Sequence, residues 1–241
     1  MIYKILLTFW MAVIIVAAFL YAEAATGFPG ETSRILFFHV PQAWVATLSF
    51  LLSMIASAVY LAKRSFKADY LAESAAELGF VFCVLATVTG SIFARATWGS
   101  FWNWDPRQTS IVILLMIYGA YFALRSAVPD AERKRAFAAV YSILAFATVP
   151  FLVFVVPRIT ASLHPENTMN PARPGMDPKT LMVFLGSLFA YTGLFVWMLR
   201  LKIRILRIEG LILHASRPNM SGITFQPETN NEKRITIQGR G

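Results

Sequence analysis

Six long apolar segments constrain this chain more than any other feature of its sequence. Five of the six contain no charged residue, and the segments are residues 5–22, 43–62, 74–94, 108–124, 136–156 and 180–199. Each is close to the roughly 20 residues that a helix needs to cross a hydrocarbon core. Because lipid offers backbone N–H and C=O groups no partner, a helix is the expected conformation of each segment. The sequence therefore predicts an all-α integral membrane protein with a bundle of six transmembrane helices.

The overall composition agrees with a membrane location and excludes several other classes. Of the 241 residues, 57% are hydrophobic and only 15% are charged, which leaves too little polar surface for a soluble domain. The net charge of +9 could indicate nucleic-acid binding, but the basic residues stand in short clusters between apolar segments. We therefore expect membrane lipid and no nucleic acid as a partner. Cys83 is the only cysteine, which excludes a disulfide framework and a cysteine-based metal motif.

Basic residues are divided unevenly between the two sides of the predicted bundle. One set of connections holds twelve of them and the alternate set holds six. The first set is Lys4, Lys63, Arg64, Lys67, Arg125, Arg133, Lys134, Arg135, Arg200, Lys202, Arg204 and Arg207; the second is Arg34, Arg95, Arg107, Arg158, Arg173 and Lys179. The positive-inside rule then predicts that both termini are cytoplasmic. Loops 23–42, 95–107 and 157–179 are expected to face outward.

Two regions follow from this division. We expect residues 1–207 to form one six-helix transmembrane domain, and the polar residues 208–241 to form a cytoplasmic tail without fixed structure. The first apolar segment resembles a signal peptide, but 18 uninterrupted residues exceed the usual h-region, so we expect a retained helix. Pro150 is expected to kink the fifth helix.

An aromatic-rich loop connects the third and fourth segments. In 95-RATWGSFWNWDPRQTSI-111, Trp98, Phe101, Trp102 and Trp104 precede Asp105. Tryptophan is enriched at membrane interfaces, so the cluster taken alone could be an aromatic belt. However, the two neighbouring outer loops each contain a histidine, which a belt does not require. An interfacial histidine taken alone is more often structural than a ligand.

Those two histidines suggest a particular ligand. His39 precedes the second apolar segment and His164 follows the fifth, on the side of the tryptophan loop. A haem iron accepts axial nitrogen ligands on opposite faces, and its macrocycle favours aromatic surroundings. Haem propionates need cationic partners, and the same side holds Arg34, Arg107, Arg158 and Arg173. The third histidine, His214, lies in the predicted cytoplasmic tail and is expected to have no part in the site.

Conventional catalytic and transport motifs are absent from the sequence. It contains no Ser-His-Asp spacing, no glycine-rich phosphate loop and no HExxH motif. Glu77 is the only acidic residue well inside an apolar segment, and an ion-coupled transporter would be expected to show more. We therefore assign no catalytic residue.

The stretch 98-WGSFWNWDPRQTS-110 resembles the tryptophan-rich WWD signature of the haem-handling proteins of cytochrome c maturation. With six spans and 241 residues, the chain is similar to the short CcmC-type family among them, and 34-RILFFHVPQAW-44 resembles that family's first outer loop. The resemblance implies that His39 and His164 are the axial ligands of the haem iron. It also implies that the haem platform is formed by Trp98, Gly99, Trp102, Trp104 and Asp105, and that Arg34 and Arg107 stand at matching positions. Phe101 stands where many members have tryptophan, and Gln108 where leucine is common.

The resemblance also implies a function and partners. Such a protein binds haem b non-covalently at the outer face of the bacterial cytoplasmic membrane and presents it to a periplasmic haem chaperone. Its other partners would be ATP-binding-cassette transporter subunits and a small membrane subunit of the maturation complex. An alternative is the core of a CcsA-type cytochrome c synthase, although such proteins carry intramembrane histidines that this sequence lacks. A third hypothesis is a haem-free membrane scaffold or permease subunit.

Overall fold

The computed structural model describes residues 2–24, 28, 30–164 and 176–215. Its elements are α1 Ile2–Leu20, a 3-10 helix Gly30–Phe37, α2 His39–Lys63, α3 Phe66–Trp98, α4 Pro106–Ala127, α5 Ala131–Pro150, a π-helical turn Phe151–Val155, α6 Val156–Ile159 and α7 Pro178–Ala215. The chain divides into two units after Ile203, and of the second unit the structure describes only the last residues of α7. This helix continues to Ala215, so the first residues of the tail predicted from residue 208 are helical.

Six helical stretches in the described part of the chain are long and apolar enough to cross a membrane. They are Ile2–Leu20, Gly30–Lys63, Phe66–Trp98, Pro106–Ala127, Ala131–Ile159 and Pro178–Ile212. The predicted all-α fold with six spans is confirmed, and the chain is a multi-pass membrane protein. Most helices extend beyond the apolar run that predicted them, because helical hydrogen bonding continues through the flanking polar residues.

The centre of the bundle depends on close approach between α2 and α3. Ser49 and Ser53 of α2 are fully buried, and Ala75 of α3 is buried as well. A Cβ on Gly79 would lie 2.6 Å from the ring of Phe50, so only glycine allows this approach. Phe50 in turn stacks on Tyr118 of α4 at 3.6 Å between ring centroids. Small residues at a helix interface allow this tight packing in a membrane, where the hydrophobic effect does not drive helices together.

Helix α1 packs against α7 through two aromatic donors. The Tyr3 hydroxyl donates to the carbonyl oxygen of Gly193 at 2.6 Å, and Trp10 Nε1 donates to that of Gly186 at 3.0 Å. Both glycines leave room for an α1 side chain, since a Cβ on Gly186 would lie 2.6 Å from the Cδ1 atom of Ile14. These contacts hold the first span against the last.

The fifth span changes from α-helix to π-helix directly after Pro150, the residue at which the sequence predicts a kink. The regular helix α5 ends at Pro150, the residues Phe151–Val155 form a π-helical turn, and α6 follows. Proline removes one backbone donor and crowds the preceding turn, so a local change of hydrogen bonding is expected there. The fifth span therefore leaves regular α-helical geometry directly after Pro150.

Candidate functional site

Three separate parts of the chain meet around one cavity at an end of the bundle. The cavity has a volume of about 250 Å³, and both His39 and His164 line it, although they are far apart in sequence. Trp102 and Arg107 line it as well. Its lining continues into the bundle along apolar side chains, which include Phe50, Cys83, Leu114 and Leu152. The cavity therefore combines polar nitrogen atoms with an apolar interior.

His39 is the first residue of α2 and lies against α3. Its Nδ1 atom is 2.9 Å from the hydroxyl oxygen of Thr89. The Thr89 hydroxyl can donate to the carbonyl oxygen of Leu85 at 2.8 Å or to Gln42 Oε1 at 3.2 Å. Because the hydroxyl proton of Thr89 is used in one of these bonds, the Thr89 oxygen accepts a hydrogen bond from His39 Nδ1–H. In a neutral imidazole, Nε2 is then unprotonated. Unprotonated Nε2 is the atom that can bind a metal.

His164 is held by Asp105, the residue that caps the N-terminus of α4. Oδ1 of Asp105 lies 3.0 Å from His164 Nδ1 and accepts from the backbone N–H of Arg107 at 2.9 Å. Its Oδ2 accepts from the backbone N–H of Leu163 at 2.7 Å and from the Ser162 hydroxyl at 2.9 Å. An ionised carboxylate can only accept, so the Nδ1 atom of His164 must carry the proton.

Protonation of this pair follows from its surroundings. Burial disfavours the charge on Asp105, but hydrogen bonds from Arg107 N–H, Leu163 N–H and the Ser162 hydroxyl outweigh it and lower the pKa of Asp105. Burial also lowers the pKa of His164, although the Asp105 charge opposes that change. At neutral pH Asp105 is therefore ionised and His164 is neutral. Their contact is therefore a hydrogen bond between an ionised carboxylate and a neutral imidazole, and the unprotonated Nε2 of that imidazole is an atom that can bind a metal.

The aromatic residues of the connecting loop occupy different environments. The rings of Trp98 and His164 meet in a T-shaped contact, with centroids 4.9 Å apart. Trp102 lines the cavity and meets Trp104 edge to face, at an interplanar angle of 86°. Trp104 is 74% exposed. Trp102 and Trp104 thus do not form a single flat surface, and only Trp102 of the four aromatic residues in the loop lines the cavity.

The backbone of this loop has two unusual positions. Gly99 ends α3 with φ at 81°, a conformation that favours glycine, and Trp104 has φ at 54°. Gln108 fixes the loop, because its Oε1 accepts from the backbone N–H of Asn103 at 2.9 Å and its Nε2 donates to the carbonyl oxygen of Phe101 at 3.3 Å. The residue at the position where leucine is common therefore orders the tryptophan loop.

The arginines expected near the site do not all reach it. Arg107 lines the cavity. Arg34 instead donates to the carbonyl oxygens of Ala18 and Ala22 at the end of α1 and pairs with Glu31 at 2.8 Å. The side chain of Arg158 donates to the carbonyl oxygen of Phe154 at 2.6 Å. Arg173 lies outside the described residues.

Sequence reasoning missed several residues that position the two histidines. Thr89 and Gly90 lie inside an apolar segment, where a Thr-Gly pair carries no signal for a site. A Cβ on Gly90 would lie 2.9 Å from Cε1 of His39, so glycine makes room for the ring. Ser162 donates to Asp105 from the loop that carries His164. The only indication of this role in the sequence is that Ser162 stands two residues before His164, a proposed ligand.

The chain is similar over most of its length to proteins with established names. Residues 1–214 match the protein family described as Heme exporter protein C. The Heme exporter protein C of Bradyrhizobium diazoefficiens is 32% identical over 238 residues, which cover 92% of this chain and 90% of the relative. That of Escherichia coli K12 is 28% identical, over 76% of this chain and 72% of the relative. A ccmC-like mitochondrial protein of Marchantia polymorpha, named for cytochrome c biosynthesis, is 28% identical over 69% of this chain and 71% of the relative. The chain belongs to the Heme exporter protein C family.

Proposed function

We propose that this protein handles haem for cytochrome c maturation, with His39 and His164 as the two axial ligands of one haem b iron. Haem is the cargo and is bound non-covalently. Membership of the Heme exporter protein C family supports the general role. The pairing of the ligands is supported by the cavity that both histidines line.

One observation carries this proposal: two imidazoles, each with Nδ1 occupied by a hydrogen-bond acceptor, line the same cavity. Fixing Nδ1 in this way is how proteins orient histidines whose Nε2 binds a metal. The apolar interior below them, with Leu114 and Leu152, suits the macrocycle. Arg107 is the arginine best placed for a propionate, and Trp102 is the tryptophan best placed for ring contact.

We further propose that the haem is presented on the outer side of the inner membrane to a periplasmic haem chaperone. Transporter subunits of the ATP-binding-cassette type and a small membrane subunit would complete the complex. In this topology both termini are cytoplasmic, residues 1–207 form the haem-handling domain and 208–241 form a cytoplasmic tail. The twelve-to-six division of basic residues supports it. A periplasm-active reporter should be silent after Arg207 and active within 157–179; the reverse pattern would place the histidines in the cytoplasm.

Haem content of the purified protein tests the site. The wild-type protein should contain haem after purification in detergent, whereas His39→Ala and His164→Ala should each lose most of it. External imidazole should restore part of the haem, because each variant lacks only a ligand. His214→Ala is the matched control and should retain wild-type haem content. Equal haem in all four proteins would refute the two-histidine site.

A further inference from the structure

The two proposed iron ligands have unequal hydrogen-bond partners. His164 Nδ1 lies 3.0 Å from the Asp105 carboxylate, whereas His39 Nδ1 lies 2.9 Å from the neutral hydroxyl of Thr89. A hydrogen bond to an ionised acceptor is roughly twice as strong as one between neutral groups. A carboxylate on Nδ1 also raises the basicity of the imidazole and thus the strength of its bond to a metal.

We infer that His39 is the ligand that the iron gives up when haem leaves, and that the Thr89 hydroxyl is the positioning group that sets how readily His39 is released. This inference rests on the proposed haem function. His164, with Asp105 behind it, then keeps its bond to the iron until a second ligand has been exchanged. The protein would thereby hold its cargo by one firm and one exchangeable bond.

The backbone at each histidine sharpens this assignment. His39 lies on a helix and His164 on a loop, which by itself would make His164 the more mobile of the two. However, Asp105 contacts that loop at three points: the Ser162 hydroxyl, the Leu163 N–H and the His164 ring. Bonds to both backbone and side chain fix the His164 ring. The ring of His39 has only neutral partners among the residues that the structure describes: the Thr89 hydroxyl and the Ala86 backbone, with Gly90 in contact beside them.

The exchange is a simple ligand substitution. The bond between iron and His39 Nε2 breaks, and its electron pair stays on the nitrogen. A nitrogen or oxygen donor of the receiving protein supplies a new pair to the iron. No proton needs to move, because His39 Nδ1 keeps its proton and continues to donate it to the Thr89 hydroxyl oxygen. The iron does not change oxidation state.

Carbon monoxide binding to the ferrous holoprotein measures this exchange, since carbon monoxide can bind only after one axial histidine leaves. Thr89→Val removes the hydroxyl at constant shape and should speed carbon monoxide binding by about threefold to tenfold, the loss expected for one hydrogen bond. Thr89→Ser should restore the wild-type rate. Thr97→Val is the control on the same helix, because its hydroxyl bonds to the carbonyl oxygen of Phe93.

Asp105→Asn provides the comparison for the other ligand. It keeps an oxygen for the α4 cap and removes the charge behind His164, so it should lower haem retention more than Thr89→Val does. Faster carbon monoxide binding in Asp105→Asn with a wild-type rate in Thr89→Val would make His164 the exchangeable ligand and overturn the inference. Equal rates in both variants would overturn it too. A wild-type protein without haem would instead overturn the proposed function, and this assignment with it.

Discussion

The α3–α4 helix pair buries polar side chains at both of its ends, but in different ways. At the end where α3 begins, Arg125 pairs with Asp69 at 3.0 Å and with Glu73 at 2.6 Å, and Arg135 contacts Asp69 at 3.3 Å. We call these four residues the charge cluster. Its two positive and two negative side chains balance each other, and among its side-chain atoms only Arg125 Nε is buried without a partner.

At the opposite end, polar side chains of α3 and of the α4 cap each contact one nitrogen of a histidine ring. Asp105 and Thr89 occupy the Nδ1 atoms of two imidazoles, while the rings themselves line a cavity. Buried polar groups that satisfy one another stabilise a structure, whereas imidazoles held through Nδ1 beside a cavity suit a binding site. Comparison of the two ends thus distinguishes a structural cluster from the proposed binding site, although both are rich in buried polar atoms.

The largest expected effect is on the charge cluster. Arg125→Ala leaves two carboxylates without their closest counter-charge, and breaking a buried ion pair costs about 3–5 kcal/mol. We expect a marked drop in thermal stability in detergent, with haem content per folded molecule unchanged. Arg133→Ala is the control, since Arg133 is exposed in the first turn of α5. Wild-type stability in Arg125→Ala, or loss of haem from folded protein, would contradict a purely structural cluster.

A smaller effect is expected at Gly90. In Gly90→Ala the new methyl group would lie 2.9 Å from His39 Cε1 and must displace the ring. Haem affinity should fall about tenfold, which corresponds to about 1.4 kcal/mol. Gly119→Ala makes the same change on α4 at a position with nothing within 4 Å of the added carbon, so it should bind haem normally. A haem titration of both variants measures the difference, and equal affinities would separate Gly90 from the site.

The smallest expected effects distinguish two tryptophans of one loop. Trp102→Ala removes a ring that lines the cavity and should weaken haem binding about threefold to fivefold. Trp104 is 74% exposed, so Trp104→Ala should change haem affinity by no more than about twofold. The reverse order of effects would show that the exposed ring, and not the cavity, contacts the macrocycle.

The sequence predicts the fold well and the site in part. Six spans follow from apolar length alone, because backbone polar groups in lipid allow little else. The histidines and the tryptophan loop were identifiable from residue type and spacing. Thr89, Gly90 and Ser162 were not, since their roles depend on tertiary contacts between helices that are distant in sequence. For the same reason the sequence could not show that Arg34 closes the end of α1 while Arg107 lines the cavity.

Electron paramagnetic resonance of the ferric wild-type protein tests most directly whether both histidines bind one iron. Two imidazole ligands give a six-coordinate, low-spin iron, and the spectrum should show this signal alone. The haem that His39→Ala and His164→Ala still retain should each time give a high-spin signal, which external imidazole should return to low spin. A high-spin signal in the wild-type protein, or a low-spin signal that survives either substitution, would contradict ligation by His39 and His164.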